Sequence, residues 1–353
     1  CDDYSNIFLG ILWNSTNPYR CKKKNRNTTR IKVALIYKKS YNFFQPDHFD
    51  KACNYFFMDA LRRNKNLDVT YFACEDSFDV SEIKNKFDII LLPHNRTDGV
   101  PDELIGIEEL EIPVIARSGD PHEARHFNPR TLHKKWKIDY YFNFMPKDYF
   151  YKFYPKDFKY KEILWCLEPR IYENLKPFKD RIKDKILISG SVSKSSLKSK
   201  IANKILNPKT SAHYFYKLRA KCNELPYVHF SPMKNNRYEN DNYPAYLSQF
   251  QSSIAAATYY PVIKYFEIPA AGCLTFMEVT EMNGCKFLGF EDEKTAIFIN
   301  KKNYREKFET YLNDVDNPKW EKIANAGREH ALKNLNNNIA VDLLVKLMYE
   351  LLD

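Results

Sequence analysis

Lys264 and Glu267 stand three residues apart in the run Tyr259-Tyr260-Pro261-Val262-Ile263-Lys264-Tyr265-Phe266-Glu267-Ile268-Pro269-Ala270-Ala271-Gly272. On a helix that spacing puts both on one face, while Ile263, Phe266 and Ala270 share an apolar face that can pack on a sheet. A carboxylate and a cation so placed suit a sugar-nucleotide. The carboxylate can accept both ribose hydroxyls, the lysine can neutralise a diphosphate, and a helix N-terminus adds partial positive charge. The same spacing also describes an ordinary surface Lys–Glu pair. Pro261 suits the first turn of such a helix, and Gly272 suits the left-handed residue that ends it. Upstream, Ile186-Leu187-Ile188 reads as a strand that opens into Ser189-Gly190-Ser191-Val192-Ser193. Gly190, Ser191 and Ser193 would offer backbone amides to a phosphate, without the Gly-Lys-Ser/Thr of a Walker loop. Thr258, where the next strand ends, and Tyr260 complete the donor-side candidates.

A second set of candidates lies in the first half of the chain. Ile112-Pro113-Val114-Ile115-Ala116-Arg117 runs into Ser118-Gly119-Asp120-Pro121-His122-Glu123. Asp120 and His122 are the candidates for a general base on an acceptor hydroxyl. Asp120 equally suits the N-cap of a helix starting near Pro121. Arg117, at the end of that strand, and His94, in the loop Pro93–Asp98 after the preceding strand, are expected to face the same cleft. No metal site is expected. Eight cysteines are scattered without a C-x-x-C pair or zinc spacing. No Asp-x-Asp motif closes a strand, and Glu291-Asp292-Glu293 reads as solvated surface.

These residues need a scaffold that brings strand ends together. The chain has 353 residues, room for two domains, and its 44% hydrophobic content excludes global disorder. Arg30–Tyr37 reads as a first strand and His48–Arg63 as an amphipathic helix. Strands follow at Asp68–Ala73, Phe87–Pro93, Ile112–Arg117, Asp139–Phe144 and Ile163–Cys166. Their apolar runs are continuous rather than alternating, as in strands buried on both faces of a parallel sheet. A charged linker covers Tyr172–Lys185. The alternation then restarts, with strands at Val228–Phe230, Ser253–Thr258, Cys273–Phe276 and Ala296–Ile299. Helices are expected at Ser196–Leu206, Ile263–Ala271, Tyr304–Leu312, Trp320–Leu335 and Ile339–Leu352. The fold class is therefore α/β, with two Rossmann-like domains, 1–172 and 173–353, facing a central cleft. The last helix carries an apolar stripe that could cross back to the first domain.

The run Lys264–Leu274 resembles the signature of GT-B glycosyltransferases, and most specifically the spore-maturation-protein-like family with a glycosyltransferase (group 1-like) C-terminal domain. Phe287-Leu288-Gly289-Phe290, Ala296–Ile299, Ile323-Ala324-Asn325-Ala326-Gly327-Arg328-Glu329 and Ile188-Ser189-Gly190-Ser191 continue the likeness over about residues 185–348, and Asp120-Pro121-His122 adds a point in the first half. The resemblance implies that Glu267 contacts ribose, that Lys264 contacts phosphate or donor sugar, and that the Gly190–Ser193 loop lies beside the diphosphate. It implies an acceptor domain first, a nucleotide domain second, and no divalent ion. Retaining members of the wider clan often carry another glutamate eight positions before the ribose-binding one. Tyr259 stands there, which favours inversion.

The implied activity is sugar transfer from a nucleoside-diphosphate sugar, UDP- or GDP-linked, to a glycan, lipid or protein hydroxyl, with no separate cofactor. Two other classes stay open: a sugar-nucleotide epimerase of the same fold, and a non-catalytic nucleotide- or nucleic-acid-binding relative. The net charge of +10 favours anionic partners, but no nucleic-acid-binding signature accompanies it, so nucleic acid is not the expected partner. No apolar run reaches the ~18 residues of a membrane span. The apolar patch Ile7–Trp13 and the basic cluster Lys22–Arg26 hint at peripheral membrane association. Buried thiols without pairing motifs point to a reducing, cytoplasmic setting.

Overall fold

The computed structural model describes residues 30–41, 53–192, 201, 212–231 and 243–353. The expected helix at Ser196–Leu206, the N-terminal apolar patch and the basic cluster lie outside the described residues, except Ile201. Thirteen strands are described. In the first half they are β1 (Ile31–Lys38), β2 (Leu67–Cys74), β3 (Ser77–Asp79), β4 (Ile89–Leu92), β5 (Glu103–Ile105), β6 (Val114–Arg117), β7 (Tyr140–Asn143) and β8 (Tyr160–Glu162). In the second they are β9 (Ile182–Ser189), β10 (Val228–Ser231), β11 (Phe250–Ala255), β12 (Leu274–Glu278) and β13 (Ile297–Ile299). The helices are α1 (Cys53–Arg63), α2 (Pro129–Lys135), α3 (Lys147–Phe150), α4 (Ala212–Phe215), α5 (Lys217–Cys222), α6 (Tyr243–Leu247), α7 (Lys264–Ala270), α8 (Tyr304–Leu312), α9 (Pro318–Asn334) and α10 (Asn337–Leu352).

The strands form two separate parallel sheets, ordered β2-β1-β4-β6-β7-β8 and β10-β9-β11-β12-β13, beside the small pair β3-β5. Each order reverses once, between β1 and β4 and between β9 and β11. Such reversals open a crevice at the carboxyl ends of the strands, where α/β sheets bind ligands. The fully buried runs Ile89–Leu92 and Val114–Arg117 explain why these segments became central strands. One face of each sheet has its own core. The other faces share a continuous core, from Phe57 and Phe142 through Trp165 to Phe266 and Leu344.

Several boundaries differ from the sequence reading. Ile163–Cys166 is not a strand. The edge strand ends at Glu162, and the apolar run after it is buried in the seam between the halves, where Cys166 turns with φ +111° and donates its N–H to Asn337 Oδ1 at 2.9 Å. The linker is shorter than expected because β9 already begins at Ile182. β11 ends at Ala255, so Thr258 lies beyond the strand. Pro261 precedes the helix, which starts at Lys264; Pro269, lacking an N–H, sits within its last turn.

Beside this core, α10 lies against α1 of the first half. Arg63 donates to Asn338 and Asn64 to Asp342. Beneath them, buried Asp59 and Glu168 are paired by Arg62, Arg63 and Arg170.

Gly327, within α9, has a steric reason. A Cβ there would lie 2.3 Å from the Thr295 carbonyl oxygen. Helix α9 thus packs directly on backbone, which cannot swing aside. Gly327→Ala is expected to destabilise the protein by about 1–3 kcal/mol, as overpacking does; unchanged thermal unfolding would show that α9 has room to shift.

Candidate active site

The second sheet places its candidates at the reversal between β9 and β11. Lys264 and Glu267 point to one side of α7, with Nζ and Oε2 3.4 Å apart. Tyr243, from α6, lies under the lysine: Nζ is 3.9 Å from its ring centroid, and its hydroxyl meets Ser189 Oγ at 2.5 Å. Burial alone would lower the Lys264 pKa, yet the Tyr243 phenol and the Glu267 carboxylate together hold it above the ordinary value. The lysine therefore stays a cation in a half-buried place.

Gly190 follows β9 with φ +86°, which residues with a Cβ rarely adopt. A Cβ there would come within 3.4 Å of an Arg219 guanidinium nitrogen and 3.5 Å of Lys264 Cε. Gly190 thus lies between two cations. Its own amide is used by the Ser231 carbonyl at 3.2 Å, so the positive character of this corner comes from Arg219 and Lys264 rather than from that amide. Ser191 is exposed, and Ser193 lies outside the described residues. The Thr258 hydroxyl accepts from the Lys217 N–H at 3.3 Å and is buried, holding the loop.

Arg219 was not singled out by the sequence. It is 3% exposed; one guanidinium nitrogen donates to the Ser189 carbonyl, the group lies 4.8 Å over the Tyr216 ring, and Nε is buried without a partner. Burial lowers its pKa, with nearby phenols opposing. A buried cation with an unsatisfied donor is costly and is poised for an anion.

Across the seam, a cavity of about 450 Å³ is lined from the first half by His94, Arg96, Arg117, Asp120 and Glu123, and from the second by Tyr216, Tyr260 and Ile263. Asp120 starts a 3-10 helix, Pro121–His126, but its side chain makes no capping bond, and among the described residues nothing donates to its carboxylate. Its side chain is open to the water of the cleft while protein surrounds it more widely. Loss of bulk solvent raises its carboxyl above the ordinary range, and the charges of Arg117 and Arg96 pull the other way.

His122 turns away from the cavity. Its ring packs 4.6 Å from Phe215 and 5.9 Å from Tyr260, and its Nδ1 is buried without a partner. It forms part of the wall between the halves, and burial lowers its pKa. Tyr260 belongs to the same wall, 4.8 Å from Tyr149.

His94 lies in the cavity, stacked against Gly119, where a Cβ would come within 2.6 Å of the ring. Burial, helped by Arg117 and Arg96, holds its pKa well below the ordinary value. Nδ1 accepts from the Asn95 N–H at 3.0 Å, so the neutral ring carries its proton on Nε2 and can donate there. Arg117 is a support: it donates to the Pro93 carbonyl at 2.6 Å and to the Tyr41 hydroxyl at 2.9 Å, over the Trp165 ring. Arg96 is paired with Asp98 and Glu123.

No protein-family model matches the chain, and no curated protein matches it by sequence. Solved structures do match by shape. Sucrose-phosphate synthase from Thermosynechococcus elongatus superposes with a TM-score of 0.56 at 12% identity, over 91% of this chain and 99% of that one. HepE from Anabaena, in complex with UDP and glucose, gives 0.55 at 10%, over 91% and 100%. An α-glucosyltransferase in complex with UDP-glucose and DNA containing an abasic site gives 0.55 at 8%, over 91% and 100%. The chain has the GT-B fold. In this GT-B chain Lys264, Arg219 and Glu267 belong to the second half and Asp120 to the first, where it lines the cavity at the seam.

Proposed function

We infer that the protein is a glycosyltransferase that moves a sugar from a UDP- or GDP-linked donor to a hydroxyl group. One observation carries this reading: Lys264, paired with Glu267, and Arg219 flank Gly190 at the reversal of the second sheet, while an uncapped Asp120 lines the cavity across the seam. Support comes from HepE and the α-glucosyltransferase, which share the fold and are complexes with UDP or UDP-glucose. The finer likeness to the spore-maturation-protein-like family rests on Lys264–Leu274 and Ile323–Glu329.

In the proposed reaction Glu267 accepts the ribose hydroxyls, and Lys264 and Arg219 hold the diphosphate. Asp120 takes the proton from the acceptor hydroxyl as its oxygen attacks the anomeric carbon. The bond from that carbon to the phosphate oxygen breaks, and the nucleoside diphosphate leaves with the electron pair. Its new charge is met by the two cations in a partly desolvated place, where such stabilisation is strong. A single displacement inverts the anomeric centre. Tyr259, which bonds Lys217 at 3.2 Å, stands where retaining relatives often carry a glutamate. With two cations on the leaving group the scheme needs no divalent ion, so turnover is expected to survive EDTA.

A thermal-shift screen against UDP, GDP, TDP, CMP and their sugars, with and without magnesium, tests the donor site, because a ligand of the native state raises its stability. One nucleotide family is expected to shift the midpoint. Glu267→Ala should then weaken that nucleotide by about 2 kcal/mol, the worth of hydrogen bonds to a charged group. Unchanged affinity would remove Glu267 from the site, and no shift with any nucleotide would remove the donor site.

A further inference from the structure

Three cations joined by one series of touching rings have those rings, not carboxylates, as partners. The Arg125 guanidinium lies 4.7 Å from the Phe153 centroid. Lys152 Nζ lies 5.8 Å from that of Tyr149. Lys217 Nζ lies 5.3 Å from Tyr214 and 5.4 Å from Tyr259. The rings touch in series: Phe153 to Tyr149 at 5.2 Å, Tyr149 to Tyr260 at 4.8 Å, Tyr260 to Phe215 at 5.9 Å, Phe215 to Tyr214 at 5.1 Å, and Tyr214 to Tyr259 at 4.5 Å. The series crosses the seam at Tyr149 and Tyr260, two phenols whose pKa values burial raises and the Asp120 charge raises further.

A lysine paired with a carboxylate presents little net charge. One held over a ring keeps its charge and still has a defined position. None of the three cations forms a salt bridge among the described residues, whereas neighbouring Arg96 and Arg130 are both paired with acids. The nearest cavity, of about 300 Å³, mixes Lys147 and Lys152 with Asp148, Glu162 and Glu281. Arg125 and Lys217 are not part of its lining, and Tyr149 and Tyr260, in the ring series that joins the three cations, feel the charge of Asp120.

We propose that this cation–aromatic strip binds the acceptor, and that the acceptor is an acidic saccharide chain whose carboxylates or phosphates meet Arg125, Lys152 and Lys217 while one hydroxyl reaches Asp120. The inference rests on the glycosyltransferase reading above. A saccharide fits better than a single-stranded nucleic acid. Base stacking needs open ring faces, whereas Tyr214 and Tyr259 are stacked on each other and Phe153 and Tyr149 carry cations.

The test is titration of the whole protein, with UDP present, with oligogalacturonate, a neutral malto-oligosaccharide of equal length and oligothymidylate, at low and high salt. Oligogalacturonate is expected to bind at least about tenfold more tightly than the neutral chain, and to weaken with salt as exposed charges are screened. The double variant Arg125→Gln/Lys152→Gln and the single variant Lys217→Gln should each weaken it by about tenfold or more, a difference of about 1.4 kcal/mol. The same variants should keep the wild-type thermal shift with UDP. Equal binding of neutral and acidic chains, oligothymidylate binding in place of oligogalacturonate, or variants with unchanged affinity would each overturn the proposal. Loss of the UDP shift in the wild-type protein would instead overturn the donor reading, so the two failures are distinct.

Discussion

Asp120→Asn is expected to cut kcat by about a hundred- to ten-thousandfold, the usual worth of a positioned general base, while the thermal shift with donor nucleotide stays near that of the wild type. Asparagine preserves the volume and the start of the 3-10 helix, and the native side chain makes no capping bond there. What is lost is the ability to take a proton. The pH profile carries a second signature. Asp120 must be ionised to act, and loss of solvent raises its carboxyl above 3.8 against the pull of Arg117 and Arg96. Turnover should therefore climb with pH through a midpoint above the ordinary aspartate value and level off. Full activity in the variant would end the assignment of Asp120 as base. A fall in nucleotide affinity equal to the fall in turnover would make it a binding residue instead.

Glu278→Gln is expected to stabilise the protein above neutral pH. Glu278 ends β12 with only 5% exposure, and its Oε2 has no hydrogen-bond partner. Burial raises its pKa from 4.5 to about 7, with Lys301 and the Ala257 backbone pulling it down. The folded value lies above the unfolded one, so the protonated acid favours the folded state. That contribution is complete below pH 4.5 and is lost as pH rises to about 7. Above that, the fold holds an ionised carboxylate at a cost of roughly 3 kcal/mol, from about 1.4 kcal/mol per pKa unit. Glutamine removes that cost. Its unfolding midpoint should exceed the wild type's at pH 8 and approach it at pH 4.5. An equal gain at both values would mean that ionisation is not the cause.

The two-sheet architecture was legible because its strands are continuous apolar runs. Ile89–Leu92 and Val114–Arg117 are buried on both faces, and no surface helix would carry such runs. The pairing of Lys264 with Glu267 was legible for a similar reason, since helical spacing fixes it locally. Arg219 was not: in Tyr216-Lys217-Leu218-Arg219-Ala220-Lys221 it looks like the lysines on either side, and only tertiary packing buries it beside Gly190. His122 shared a motif with Asp120 but packs on Phe215 and Tyr260 in the wall instead of lining the cavity, as residues two apart on a 3-10 turn point in different directions. Ile163–Cys166 has the composition of a strand, yet its burial comes from the seam between the halves.

The crossing of α10 to α1 has a consequence in time. Arg63 and Asn338, which it joins, are 275 positions apart. Contacts so distant in the chain are slow to form, because a long loop must close before they repay its entropy. A chain made from its N-terminus has the first sheet, its helix α1 and the acids Asp59 and Glu168 in place well before their last partner emerges. Until then the surface that α10 will cover stays wet. Residues some 275 positions later thus finish the packing of the half begun first, and a cut between the sheets would leave neither piece whole.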